Sequence, residues 1–440
     1  MRLSFLRALG VTLAFFLMTA LAARGADSGS QLIALKAARL FDGKSNALVP
    51  NGVVLVQDGK IVDAGANLAI SPDARVIDLG DATLSPGFID AHTHLTSDYS
   101  RPYNERRLDE LETGVPLKAY ECVPLAERTL DAGFTTVRDV GSAQFLDVAL
   151  RDAIAKGLVR GPRMLVATKG IGATGGHFDN SNGYRDKIFG RELDYTDGIV
   201  DGPEEIRKAV RYEVKNGADV IKAAVSGGVL SMKDEVDVPQ FSPEEIAMLV
   251  NEAHRLRKKV AVHCHGDTAA RDAINAGVDS IEHGSFMKKE TLELMKSKGT
   301  YLVPTLLASE YIMGKIGAYP PAIQAKAKAA TAARSEMFRN ALQVGVKIAF
   351  GTDEGVYPHG ENAKEFALMT GLGMKPIDAL RSATSVAADL LGIAPTTGTL
   401  EKGKRADIVA IPGDPVADIA ATEHVSFVMK EGEIVKGGRP

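Results

Sequence analysis

The stretch Leu84-Ser85-Pro86-Gly87-Phe88-Ile89-Asp90-Ala91-His92-Thr93-His94 joins an apolar, glycine-containing run to a His-x-His end. A β-strand alternates its side chains, so His92 and His94 project to the same side. Two neutral imidazoles converging from one strand end make half of a transition-metal site. An isolated His-x-His is better explained by ordinary polar contacts than by a metal. What gives this one weight lies downstream: Lys222, His263, His283 and Asp353 each fall in or at the end of a separate strand-like run.

Those runs set the architecture. After the first, which ends at His94, apolar strand-like runs recur at 134–140, 163–168, 219–225, 259–264, 280–282, 301–304 and 346–351. Amphipathic helical segments with clear punctuation separate several of them. Ser242-Pro243-Glu244-Glu245 combines an N-cap, a first-turn proline and a capping-box glutamate ahead of a helix over 246–258. Gly392, after Leu390-Leu391, is the glycine expected just past a helix end. Eight strand–helix units over about 300 residues predict a TIM-like (β/α)8 barrel, with its active site where the strands end. The alternative, a doubly wound sheet, lacks its phosphate-binding glycine fingerprint at the first strand–helix turn. The glycine-rich segment 170–176 and the polar stretch 179–202 are expected to form a long loop over the barrel mouth.

The two ends of the chain resemble each other in style and differ from the middle. Residues 32–85 fall into short alternating runs, with the turn signal Asp58-Gly59 between two of them. The C-terminal stretch repeats the manner in Ile408-Val409-Ala410-Ile411, Val425-Ser426-Phe427-Val428-Met429 and Glu433-Ile434-Val435. Neither end has enough strands for a stable sheet alone. Together they are expected to build one small β-sandwich domain. The expected organisation is therefore a signal peptide at 1–25, β-sandwich halves at 26–85 and 394–440, and the barrel at 86–393.

The 440-residue chain is 45% hydrophobic and 25% charged, with a formal net charge of −4. That is ordinary globular composition with no basic footprint for nucleic acid. Arg2 and Arg7 precede the apolar run 8–21, and small residues cluster at Ala20, Ala22 and Ala23. This is the pattern of a cleaved secretory signal, and the run is short for a bilayer span. A periplasmic or secreted protein without a stable membrane anchor is expected. With only two cysteines, Cys122 and Cys264, no disulfide framework is available. Cys264 would face away from His263 and His265 and reads as a small buried residue.

The ligand candidates His92, His94, Lys222, His263, His283 and Asp353 are types that hold Zn²⁺ or a similar divalent ion at about 2.0–2.2 Å. A pair of such ions, about 3.5–4 Å apart, can share a hydroxide that attacks a carbonyl or phosphoryl centre. Lys222 is the odd member, because an ammonium repels cations. Carbamylation by CO2 would turn it into a bridging carboxylate, and burial beside cations favours the free amine that must react. A Schiff-base lysine and a surface lysine at a strand end are the competing readings.

At this point the chain resembles the amidohydrolase superfamily, through Pro86-Gly87-Phe88-Ile89-Asp90-Ala91-His92-Thr93-His94, the terminal β-halves, Ile281-Glu282-His283-Gly284 and Gly351-Thr352-Asp353. The resemblance implies one metal held by His92, His94, Lys222 and Asp353. It implies a second held by Lys222, His263 and His283, with a hydroxide between them. Asp353 would take the proton from that hydroxide and pass it to the leaving group. His265 also faces the His263 side. The resemblance points to His263 as the ligand, leaving His265 to the substrate or the surrounding shell, and the residues themselves leave either possible. Deaminases of the superfamily carry a His-x-Asp-Glu type segment here, whereas this chain has His263-Cys264-His265-Gly266. The missing glutamate, with Lys222, favours a two-metal hydrolase over a one-metal deaminase.

Within the superfamily, Lys222-Ala223-Ala224-Val225-Ser226-Gly227-Gly228 and Gly351-Thr352-Asp353-Glu354-Gly355 with Pro358-His359-Gly360 resemble the prolidase-related branch of secreted dipeptidases and carboxypeptidase-like amidases. That group includes enzymes that hydrolyse the amide of ochratoxin A. The implied reaction is hydrolysis of a dipeptide or N-acyl amino acid whose leaving group is a C-terminal amino acid. A carboxylate on such a substrate needs a donor at the mouth. His177, His265, Tyr357 and His359 are the candidate contacts, His177 foremost. Arg138 is expected instead to pair with Asp139. Ser97 and Asp98 could line the pocket, Tyr99 and Tyr103 would pack as a loop wall, and the Ala/Lys-rich stretch 322–342 would be an exterior helix or an oligomer contact. A cyclic-amide or lactone hydrolase of the same architecture is the enzymatic alternative, and an exported metal-binding protein the non-enzymatic one. Relatives of this fold assemble into dimers or larger rings, so a homo-oligomer is expected.

Overall fold

A computed structural model describes residues 31–437. The expected signal segment, 1–25, lies outside the described residues, and no helix among them is long and apolar enough to cross a membrane. Five strands open the chain: β1 (Ile33–Leu40), β2 (Val49–Gln57), β3 (Lys60–Ala66), β4 (Arg75–Asp78) and β5 (Ala82–Pro86). Between β2 and β3 the turn is Asp58-Gly59, with φ of 51° and 73°. Two left-handed residues in succession give the twist that a two-residue hairpin needs.

The middle of the chain alternates helices with the strands β6 (Phe88–Thr93), β7 (Phe134–Asp139), β8 (Arg163–Val166), β9 (Val220–Ala224), β10 (Lys259–Cys264), β11 (Ser280–His283) and β12 (Tyr301–Val303). The last strands are β13 (Ile408–Pro412), β14 (Phe427–Lys430) and β15 (Glu433–Lys436). Both ends meet in one eight-stranded sheet of order β15-β14-β13-β5-β1-β2-β3, with β4 also on β1. Its seam is the antiparallel pairing of β13 with β5, where Ala410 faces Leu84. The sheet forks at β1, whose first half pairs with β4 and whose last two residues pair with β5.

The middle strands form two parallel sheets, β6-β7-β8 and β12-β11-β10-β9. Backbone bonds run between them on both sides. The Asp219 amide donates to the Val166 carbonyl at 2.7 Å. Opposite, segment 346–351 lies between β12 and β6: the Leu302 amide donates to Lys347, and the Ala91 amide donates to Phe350 at 2.9 Å. An eighth strand was expected over this segment, and it carries only an isolated bridge, Leu302 to Ile348. Gly351 explains how it approaches β6 so closely. A Cβ there would fall 2.3 Å from Val303 and 3.1 Å from the His92 nitrogen. Below the site, Phe88, Phe134, Phe350 and Phe366 are fully buried and pack ring to ring at 4.4–5.6 Å. That apolar layer excludes water from the strand ends above it.

Ser242 and Glu245 form the expected capping box. The helix it starts runs Pro243–Arg255 and ends three residues before the expected end, because the chain turns left-handed at Arg257 (φ 58°). Both cysteines are buried and unpaired.

Candidate active site

His92 lies in β6 and His94 just past it, Lys222 is central in β9, and His263 sits in β10 with His265 beyond its end. His283 closes β11, and Asp353 follows segment 346–351. The parallel register brings them together at one end of the strands. One Asp353 carboxylate oxygen lies 3.4 Å from His92 Nε2 and 3.3 Å from His94 Nε2. Single ligand atoms of His92, His283 and Asp353 all fall within 4.8 Å of one another. The His283 ring centroid is 5.1 Å from that of His92, 4.6 Å from His263 and 5.1 Å from His265. Lys222 is buried, and its Nζ finds no hydrogen-bond partner.

An outer layer fixes each imidazole through the ring nitrogen that faces away from the cluster. His92 Nδ1 meets Glu282 at 2.8 Å, His94 Nδ1 the Gly141 carbonyl at 3.0 Å, His283 Nδ1 the Thr305 hydroxyl at 2.7 Å, and His265 Nδ1 the Ser285 hydroxyl at 2.8 Å. Donation from Nδ1 to a carboxylate or carbonyl sets the tautomer that leaves Nε2 as the free lone pair. His263 is reversed: its Nε2 contacts the Gly227 carbonyl at 3.3 Å, which leaves Nδ1 for the site. His283, Thr305 and Asp353 all adopt left-handed backbone, with φ of 73°, 49° and 61°. Such conformations cost about 1–3 kcal/mol each and persist where the surroundings impose them, often at functional sites.

The electrostatics fit divalent metal. Burial pulls His263, His265 and His283 well below the ordinary imidazole range, which leaves them neutral, as ligands must be. Burial also draws the Lys222 amine down to about 8. Burial would raise the Asp353 carboxyl, yet the His92 and His94 rings outweigh it and hold Asp353 well below the carboxylate range. A dry cluster of neutral nitrogens, one carboxylate and an unpartnered amine suits cation binding.

The site opens into a cavity of about 230 Å³, which all six ligand candidates line together with His177 and His265. His177 stacks on His263 with centroids 4.1 Å apart. Its Nδ1 lies 2.8 Å from the Ser231 hydroxyl, which donates to Asp234 at 2.7 Å; Lys326 clamps that carboxylate at 2.9 Å.

Several expectations need correction. Tyr357 is fully buried with its hydroxyl on Thr352, and it does not line the cavity. His359 packs behind the site, with Nε2 3.3 Å from the His94 carbonyl, and is likewise not a cavity residue. Both follow Asp353 on a segment that turns inward instead of rimming the mouth. Arg138 pairs with Glu282 at 2.8 Å, not with Asp139, because the two strand neighbours point to opposite sides. Ser97 and Asp98 are outside the lining, whereas Tyr99 and Tyr103 belong to it. The stretch 322–342 is part of the helix Pro321–Val344, which supplies Ala327, Thr331 and Arg334 to the cavity wall.

Glu282 and Arg334 are the residues that sequence reasoning passed over. The signal for Glu282 was an acid inside an apolar strand run, with an arginine at a matching depth in another strand. The signal for Arg334 was a cation on the stripe Ile323-Ala327-Ala330-Arg334-Met337-Ala341, every member of which is buried, as is Lys326 beside it.

Comparison with known proteins places the chain. The amidohydrolase family model matches residues 83–435. Ochratoxinase from Aspergillus niger is 34% identical over 373 residues, covering 80% of this chain and 76% of that protein. Among solved structures, a Xaa-Pro dipeptidase with bound methionine in its active site is 39% identical with a TM-score of 0.87, covering 92% of this chain and all of that one (100%). A prolidase complexed with N-methylphosphonate-L-proline is 31% identical with a TM-score of 0.83, covering 93% of this chain and 100% of that one.

Proposed function

Because this chain belongs to the amidohydrolase family and is a hydrolase acting on amide-type C–N bonds, we propose that it is a dinuclear metal-dependent amidase. Its substrates would be dipeptides or N-acyl amino acids, with ochratoxin A as one aryl-amide case. The reading is carried by one observation: His92, His94, Lys222, His263, His283 and Asp353 line a single cavity, with the Lys222 amine buried and unpartnered. In this reading His92, His94 and Asp353 would hold one ion and His263 and His283 the other, with a carbamylated Lys222 as a ligand to each. The carbamate supplies the second anion that a pair of dications needs beside Asp353. Zinc suits the nitrogen-rich donor set.

When bound, the ions would polarise the scissile carbonyl and acidify a water molecule. Asp353 accepts the proton of that water on the carboxylate held between the His92 and His94 rings, then returns it to the departing amine nitrogen. His177, oriented by Ser231 and Asp234, presents its other ring nitrogen to the substrate. Glu282 keeps His92 in the tautomer that ligation requires.

The same reading makes the two parallel sheets and segment 346–351 one (β/α)8 barrel. The backbone bonds at Val166–Asp219, Leu302–Lys347 and Ala91–Phe350 support it, and the strand ends then form the active face. The terminal strands make a separate domain from 26–85 and 394–440, and residues 1–25 direct export. Metal analysis with turnover of a panel of dipeptides, N-acyl amino acids, hydantoins and lactones tests the assignment. Linear amide cleavage by protein holding about two ions is the expected result. Ring opening alone would establish the cyclic-amide or lactone alternative, and tight metal uptake without any turnover would establish a metal-binding role.

A further inference from the structure

Thr305 occupies the N-cap position of the helix Leu306–Gly314. A threonine there ordinarily has extended backbone and folds its hydroxyl over the first-turn amides. Thr305 does neither. Its backbone is left-handed, with φ 49° and ψ 47°, and its side chain makes no capping bond. The hydroxyl turns instead to His283 Nδ1 at 2.7 Å, and it is the only hydrogen-bond partner of that ring among the described residues. A β-branched residue at positive φ is an outlier that its surroundings must impose.

Three neighbours impose it. The Thr305 amide donates to the Gly351 carbonyl at 3.1 Å. The Thr305 carbonyl accepts from Arg334 Nη1 at 2.9 Å; Arg334 has no carboxylate within ion-pair distance among the described residues, and its Nε donates to the Ser285 hydroxyl at 3.3 Å. The helix end that the Thr305 hydroxyl leaves open is closed by Glu365, from the first turn of another helix, Lys364–Gly371, 59 positions beyond Leu306. One Glu365 oxygen accepts the Leu306 amide at 2.8 Å and the other the Leu307 amide at 2.6 Å. Glu365 is fully buried, and no basic side chain among the described residues lies within ion-pair distance of it. A buried carboxylate without a counter-ion is costly even beside the positive end of a helix. A threonine of ordinary geometry would cap the same helix without that cost. What the arrangement gains is a Thr305 hydroxyl left free and held in one place beside His283.

We infer that Glu365 is a positioning residue for His283: it caps the helix Leu306–Gly314 in place of Thr305, so that the Thr305 hydroxyl holds the imidazole in the tautomer and orientation a metal ligand needs. The consequence for metal binding rests on the dinuclear amidase reading, whereas the capping and the ring tautomer do not.

Histidine-ring nitrogen NMR on metal-free full-length protein reads the first link. In wild type, His283 is expected to carry its proton on Nδ1. Thr305→Val and Glu365→Gln should each shift that ring toward a mixture with the Nε2-protonated form. Zinc titration by calorimetry reads the second link. Each variant should weaken one of two ions by roughly ten- to a hundredfold and leave the other unchanged. The double variant should lose no more than the worse single one, because the two residues act in one chain of contacts. Glu310→Gly, an exposed change in the same helix, loosens that helix without touching Thr305 and should leave zinc affinity as in wild type. Wild-type tautomer and zinc affinity in Glu365→Gln, equal weakening by Glu310→Gly, or losses that multiply in the double variant would make Glu365 a structural cap alone and overturn the inference.

Hydrogen exchange covers a Glu365 variant that fails to fold. In Thr305→Val the Leu306 and Leu307 amides should stay as protected as in wild type, since Glu365 still holds them. Rapid exchange there would show that Thr305 does the capping and would overturn the inference. The expected tautomers and protection without zinc uptake or hydrolysis of any amide would leave the positioning role standing and the dinuclear amidase reading refuted.

Discussion

Glu282 shows how much of this site rests on a residue that touches no substrate. It is fully buried and bonds His92 at 2.8 Å and Arg138 at 2.8 Å. Burial alone would raise its pKa, yet the Arg138 guanidinium and His92 hold it down at about 2. Removing it strands a buried arginine. Glu282→Ala should therefore cost about 3–5 kcal/mol of stability in urea unfolding, and metal affinity should weaken about 10–100-fold. A variant with wild-type stability would mean that Arg138 finds another partner. Lys222 makes the complementary case: little in its surroundings explains a buried amine with no partner except a role at the metal centre. Lys222→Ala should lower bound metal from about two ions to one or none and abolish turnover. A fully loaded, active variant would remove the bridging role.

Between residues and fold stand the loops that follow the strands. The segment after β9 packs against the ring of His177 so tightly that Gly228 has no room for a side chain. A Cβ there would lie 2.2 Å from two atoms of the imidazole. Lys326, from the helix Pro321–Val344, ties the same loop down through Asp234 and the Ser231 carbonyl. Gly228→Ala should cost about 1–3 kcal/mol by overpacking and reduce kcat/KM to about the level of His177→Ala, because the ring has to leave its place. Kinetics on the two variants side by side checks this; full activity in Gly228→Ala would show that the His177 position is dispensable. The helix itself carries the more general lesson. Its sequence reads as an exterior amphipath, and its buried stripe is instead the wall that holds Arg334.

At the scale of the molecule, the sheet made from both chain ends is tied to the strands that carry the site. Arg163 of β8 reaches Asp407 at 2.7 Å and Glu431 at 2.8 Å, so the C-terminal strands brace the edge of the parallel sheets. Ligands for the proposed ions come from β6 and the residue just past it, from β9, β10 and β11, and from Asp353 after segment 346–351. Bound metal therefore links parts of the chain more than 200 residues apart in sequence, as His92 to Asp353 illustrates. Ions that bind only the folded state stabilise it by mass action, about 4 kcal/mol at a thousandfold excess over Kd. Chelation should lower the unfolding midpoint in differential scanning calorimetry, and added zinc should restore it. An unchanged midpoint would argue against resident ions.

Much was legible in the chain itself because the information is local. Alternation put His92 and His94 on one side, capping signals marked the helix at Ser242, and apolar runs located the strands that carry Lys222, His263 and His283. Family membership followed from short motifs whose spacing reflects one strand end. What local pattern could not carry was pairing across distance. Arg138 lies beside Asp139 in sequence but meets Glu282, since neighbours on a strand diverge. Tyr357 and His359 follow Asp353 yet turn inward. Arg334 is one arginine among many until the folded chain buries it beside a cavity and gives it no anion, a property that exists only in three dimensions.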